Sequence, residues 1–87
     1  MPYVSLYDRA KYEKVVAQIG ALPEISTKGD LEFLVFKLMK KFMKDREVRY
    51  STLHEAVYAT QHAADEFRRR FLDKREDQAL EANGDIN

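Results

Sequence analysis

Residues 31–44 read LEFLVFKLMKKFMK, and the fold follows from how this stretch is placed. On a helix at 100° per residue, Leu31, Leu34, Val35, Leu38, Met39 and Phe42 span well over a third of the circumference. Phe36 and Met43 widen that arc further. A helix with so wide an apolar face is expected to be the central and most buried element of a helical domain. Asp30 is placed to cap its start. A loop at residues 24–30 (EISTKGD) precedes it, and a short charged connection at 45–50 follows.

Upstream, Ser5 reads as an N-cap with Asp8 in the capping-box position. A first helix is then expected over residues 6–19, with Tyr12, Val15, Val16 and Ile19 on its apolar face. Gly20 and Pro23 end it. Downstream, Ser51 or Thr52 is placed to cap a third helix, and Thr52 with Glu55 also fits a capping box. Leu53, Val57, Thr60, Ala64, Phe67 and Phe71 hold the i, i+3, i+4 pattern for almost twenty residues. Ala56, Ala59 and Ala63 flank that stripe, and side chains this small let a neighbouring helix approach closely. The stripe fades after Leu72. The third helix is set at residues 52–76, with an acidic tail at 77–87 and a stop signal at Asn83-Gly84.

Composition agrees with one all-α domain. Three Gly and two Pro leave few breaks, and charged residues are 34 % of the chain against an average of about 25 %, which favours long helices. With 87 residues the chain is near the lower limit for folding alone. It has no cysteine, which excludes disulfides and thiolate metal sites. Fifteen basic and fifteen acidic side chains cancel, so a globally basic nucleic-acid binder is disfavoured while a local patch is not. No apolar run approaches the ~18 residues of a membrane span, and no signal peptide is visible at residues 1–20. The expected location is the cytoplasm of the cell that makes it.

Self-association is expected from geometry. A third helix over residues 52–76 would be roughly 37 Å long and the second about 21 Å, so the shorter helices cover only part of the longer one. A homo-oligomer closing over the remaining apolar faces is the reading adopted.

Catalytic constellations are mostly absent. His54-Glu55 begins like a zinc-binding HExxH, but Tyr58 stands where the second histidine is needed. His62 with Asp65 or Glu66 supplies two metal ligands, too few for a site. Both histidines are expected on the solvated surface. Ser5, Ser26 and Ser51 lack a nucleophile context, and no glycine-rich phosphate loop exists. No enzyme activity, metal or cofactor is expected.

Two cationic clusters remain. Lys37, Lys40, Lys41 and Lys44 recur at i, i+3, i+4 and i+7 on the second helix, with Phe33 on the same narrow face. Such a stripe either solubilises the helix or faces an anion: the acidic C-terminal segment of this or another chain, or a phosphate-bearing ligand. Arg68, Arg69 and Arg70 point about 100° apart and cannot all serve one site. Arg69 lies four residues from both Asp65 and Asp73, and Glu66 pairs with Arg70 in the favourable order. Arginine at the border of an apolar face also suits bidentate capture of carboxylate or phosphate. Five tyrosines suit the edge of a core, or a stacking platform for a base. The candidate anion-binding residues are Lys37, Lys41, Arg69, Arg70 and Tyr58.

Met1-Pro2-Tyr3, Asp8-Arg9, the GDLEFLVFKL of residues 29–38, the EFRRR of 66–70, Glu76-Asp77 and Asn83-Gly84-Asp85 together resemble, in register over nearly the whole chain, an uncharacterised family of small proteins encoded by bacteriophages and seen in metagenomes. The resemblance implies a bacterial host and no particular activity. It directs interest to Glu66, Arg69 and Arg70, with Arg68 in a variable slot. A proline and an aromatic precede the acidic pair in the family form. Here residues 71–75 are Phe-Leu-Asp-Lys-Arg, so the third helix has no proline to stop it.

Three functions fit these features. The first is a ligand-binding module holding an anionic small molecule such as a nucleotide at a subunit boundary. The second is a protein-interaction module acting on a host or phage complex. The third, less favoured, is a nucleic-acid accessory.

Overall fold

The structure is a computed structural model, and it describes residues 4–84. Every element among these residues is helical. The first helix runs in three pieces: Leu6–Arg9, a 3-10 step at Ala10–Tyr12, and Glu13–Gly20. The second spans Lys28–Met43. The third begins at Tyr50 and continues without a break to Asn83, 34 residues in all. It consists of an α-helix at Tyr50–Phe67, a π-turn at Arg68–Leu72 and a further α-helix at Asp73–Asn83.

Helix ends follow side-chain hydrogen bonding. The Asp8 N–H donates to Ser5 Oγ at 3.2 Å, as the sequence suggests. The second helix starts three residues before the expected position because Thr27, in extended backbone, is its N-cap. The Asp30 N–H donates to Thr27 Oγ1 at 3.1 Å, and the Thr27 N–H donates back to Asp30 Oδ2 at 3.3 Å. Asp30 is therefore the third residue of a reciprocal capping box and not the cap itself. Replacing Thr27 by Ala removes one partner of that box and is expected to cost about 1 kcal/mol; thermal unfolding followed by circular dichroism measures it.

The third helix starts two residues early for a similar reason. Thr52 sits inside the first turn and accepts the Arg49 N–H at 3.0 Å, so neither Ser51 nor Thr52 is the cap. At the other end no proline intervenes, and the helix passes residue 76, its expected end, into the stretch 77–87 expected to be an acidic tail. Part of that tail is thus helical. The helix stops at Gly84, whose φ of +82° is open to glycine and strained for other residues. Asp85, Ile86 and Asn87, also assigned to the tail, lie outside the described residues, as do Met1, Pro2 and Tyr3.

The second and third helices pack antiparallel. Val35, Leu38, Met39 and Phe42 face Ala56, Ala59, Thr60 and Ala63 around a cleft of ≈ 290 Å³. The alanine flank is what lets the two backbones come together. Ala56, 6 % exposed, is the one buried residue among those described. The second helix was expected to be the most buried element, yet it has no buried residue. One neighbour cannot cover so wide an arc, and Leu31, Phe33, Phe36 and Leu38 stay exposed.

The first helix makes no extensive contact with the other two. The loop after it, at Leu22, Pro23 and Ile25, lies against Phe33 and Leu34 of the second helix. Val15, Val16 and Ile19, its apolar face, are open. The chain is extended to 50 × 34 × 30 Å, and its radius of gyration of 16.8 Å exceeds the ~12 Å expected for a compact domain of this length. At 1.5 Å per residue the third helix is about 51 Å long and the second about 24 Å. The far half of the long helix therefore projects, with no extensive contact to another helix among the described residues. No helix among the described residues is long and apolar enough to cross a membrane.

Candidate functional site

Lys37 and Lys41 lie about 160° around the second helix from Met39, on either side of the direction opposite the long helix. Their stems stand on the outer surface, and the Lys37 ammonium sits 5.4 Å from the Phe33 ring centroid. Among the described residues, none of Lys37, Lys40, Lys41 and Lys44 forms an ion pair. Lys40 and Lys44 are placed differently from the other two. They rim an open groove of ≈ 340 Å³ whose floor is Phe36, Met39, Met43, Leu53 and Ala56. The stripe is thus divided between an outward pair and a pair at the edge of an apolar groove.

Arg69 and Arg70 converge on one carboxylate. Glu66 Oε1 accepts from Arg69 Nη2 at 2.5 Å and from Arg70 Nε at 2.7 Å, and Glu66 Oε2 accepts from Arg69 Nε at 3.3 Å. The Glu66 side chain is only 15 % exposed between the two guanidinium groups. The Glu66–Arg70 pair was legible in the spacing. Arg69, expected near Asp65 and Asp73, turns to Glu66 instead. A shared carboxylate offsets part of the charge that an anion would otherwise meet.

Tyr58 belongs to an arrangement not expected from the sequence. Tyr50, His54, Tyr58 and His62 recur every fourth residue along the long helix and form a ring ladder. Centroid separations are 4.9 Å for Tyr50–His54, 4.3 Å for His54–Tyr58 and 6.2 Å for Tyr58–His62. His54 is half-buried between its tyrosines and not simply solvated, as was expected. The signal was the spacing of four, which places side chains one above another on a helix. The ladder runs along the side of the long helix away from Ala56, and hence away from the second helix.

The five candidate residues therefore occupy three places in one chain: the outer face of the second helix, the back of the long helix, and the π-turn beyond Ala63, where the second helix has ended. They do not converge. Any pocket that used them together would need more than one copy. No group of three metal-ligating side chains gathers among the described residues.

The π-turn is a second feature with no clear sequence signal. The Asp73 N–H donates to the Arg68 carbonyl, five residues back. One extra residue in a turn holds the helical phase back by about 100°. Phe67 and Phe71 stay in contact, their rings tilted at 43° with centroids 4.8 Å apart. Leu72, which an uninterrupted α-helix would carry off the apolar stripe, is returned to its edge.

The chain belongs to a family described as Domain of unknown function (DUF6899), whose family model matches residues 1–86. No curated protein and no solved structure matches it.

Proposed function

We infer that this member of the family is a non-enzymatic binding protein that works as a homo-oligomer, with its binding surface completed between copies. The observation that carries this reading is exposed area. The chain presents 8281 Å² to solvent, whereas a folded monomer of 10.2 kDa presents about 5,300 Å². The excess of roughly 3,000 Å² is comparable with what one protomer contributes to a large obligate interface. It is also apolar in character: Val15, Val16, Ile19, Phe36, Phe67 and Phe71 are all exposed. Monomeric proteins rarely expose apolar patches beyond a few hundred Å², and here large apolar side chains are exposed on all three helices.

The unpaired lysines favour a second component of the reading, an anionic ligand. Lys37 and Lys41 of one copy, together with Tyr58, Arg69 and Arg70 of neighbours, would supply cations and a ring for a nucleotide-like molecule. The phage-type resemblance suggests a setting inside an infected bacterium, where sequestering a host signalling nucleotide would oppose defence. A host or phage protein held on the same apolar surface is the competing role. Nucleic acid is a weaker fit because the chain carries no net charge.

Sedimentation velocity on the full chain tests the assembly. A species larger than the monomer at micromolar concentration is expected, and a monomer at every concentration would remove the reading. For the ligand, a panel of cyclic and linear nucleotides is screened by thermal shift. A ligand at 100 times its dissociation constant adds about 2.7 kcal/mol. The melting temperature should rise for the natural chain and stay flat for Lys37→Glu/Lys41→Glu. No shift with any nucleotide would leave the protein-partner role in its place.

A further inference from the structure

The geometry points to an antiparallel second copy: the projecting half of its long helix lies in the groove between the second helix and the near half of the long helix, with Glu76 beside Lys40. This rests on the self-assembly inferred above and assigns its surface and direction.

Leu53, Val57, Thr60, Ala64, Phe67 and Phe71 step by four and three residues alternately, the 3.5-residue period of a helix seam made for another helix. Leu53 belongs both to this seam and to the groove lined by Phe36, Met39 and Met43. Seam and groove are therefore one continuous apolar surface. Phe67 and Phe71, at the start of the projecting half, are 64 % and 60 % exposed. By returning Leu72 to the stripe, the π-turn extends the seam toward Ala79. Among the described residues, the projecting half is thus an apolar-edged helix with no extensive neighbour, and the groove is an open trough. Reciprocal exchange between two copies satisfies both, drawing on an uncovered area well above the ~800 Å² per partner of a standard interface.

Charge sets the direction. A parallel pair stacks Arg68–Arg70 on the same three arginines and Glu76, Asp77 and Glu81 on their own copies. An antiparallel pair avoids both repulsions. Setting Phe67 against Ala64 and Phe71 against Thr60 places large side chains on small ones. In that register, Glu76 of one copy stands level with residue 55 of the other, and the groove lining puts Lys40 at that same level. Glu76, four residues after Leu72 and so on the seam side of the projecting helix, then meets Lys40, while Glu81, about 140° further round, points away. Lys37 and Lys41 remain outward and free to meet a ligand.

Because the chain has no cysteine, introduced pairs report alone. The full chain carrying Lys40→Cys and Glu76→Cys is treated with a short bis-maleimide, since ion-pair partners sit too far apart at Cβ for a disulfide. Interchain linkage is expected, with little linkage in chains carrying Thr60→Cys alone, whose copies lie far apart in this arrangement and face each other in a parallel one. Independently, Lys40→Glu should weaken assembly about tenfold, and adding Glu76→Lys should restore it. Circular dichroism verifies that each variant keeps its helices. Linkage through position 60, or an oligomer that links through neither arrangement and ignores the charge swap, overturns this assignment while leaving self-assembly intact. A natural chain that sediments as a monomer overturns both.

Discussion

A chain carrying Phe67→Asp is expected to sediment as a monomer at concentrations where the natural chain is assembled. Phe67 is 64 % exposed in the single chain and lies at the centre of the seam. Covering a phenylalanine of this exposure contributes about 2 kcal/mol. In a two-fold pair the residue counts twice, so its loss weakens association by roughly a thousandfold. The carboxylate adds a desolvation cost that the apolar surface cannot offset. Helicity should change little, because Phe67 meets mainly Phe71 within its own chain. Phe33→Asp is the matched control: Phe33 is similarly exposed but stands with Lys37 on the outer face of the second helix. It should leave sedimentation unchanged. If Phe67→Asp assembles normally, the seam is not the interface.

The second large effect is expected at Ala56. Ala56 is the one buried residue among those described, where the second helix crosses the third beside Met39. Leucine at that position adds three carbons next to Met39, and whatever does not turn into the flanking clefts pushes the helices apart. Overpacking of this kind costs about 1–3 kcal/mol, a large share of the stability of so small a chain. Ala56→Leu should lower the melting temperature by about 10 °C at fixed protein concentration. Ala82→Leu, on the projecting half, should leave the helix pair intact. Equal melting temperatures for the Ala56 variant and the natural chain would mean that the two helices do not cross there.

The helical class and the two main helices were legible because their apolar residues recur with helical spacing. So was the alanine flank, since small residues at Ala56, Ala59 and Ala63 have an obvious use in close packing. Boundaries were less so. Thr27 and Asp30 are both good capping residues, and only backbone conformation decides which of them caps. The far end was missed because residues 73–83 are strongly charged, and a solvated helix leaves no apolar stripe to read. The absence of a proline there was the better guide. The π-turn is a matter of hydrogen-bond register, and nothing in Arg68–Leu72 announces it. As for the candidate site, the Glu66–Arg70 pair could be read from spacing within one helix. Separation of Lys37 and Lys41 from Tyr58 depends on how two helices face each other, which no local pattern encodes.

The single buried alanine also bears on how such a chain persists in a cell. Where apolar surface is covered mainly by further copies of the same molecule, durability depends on abundance. Dilution then acts as a denaturant does. Newly made copies pass through a thinly protected stage open to proteases, and survivors accumulate more steeply than synthesis alone would supply. A slow trickle of expression is cleared, whereas a burst crosses a threshold and lasts. For a chain that assembles as proposed, gene dosage thereby becomes a switch, set by the scarcity of buried residues in the single copy.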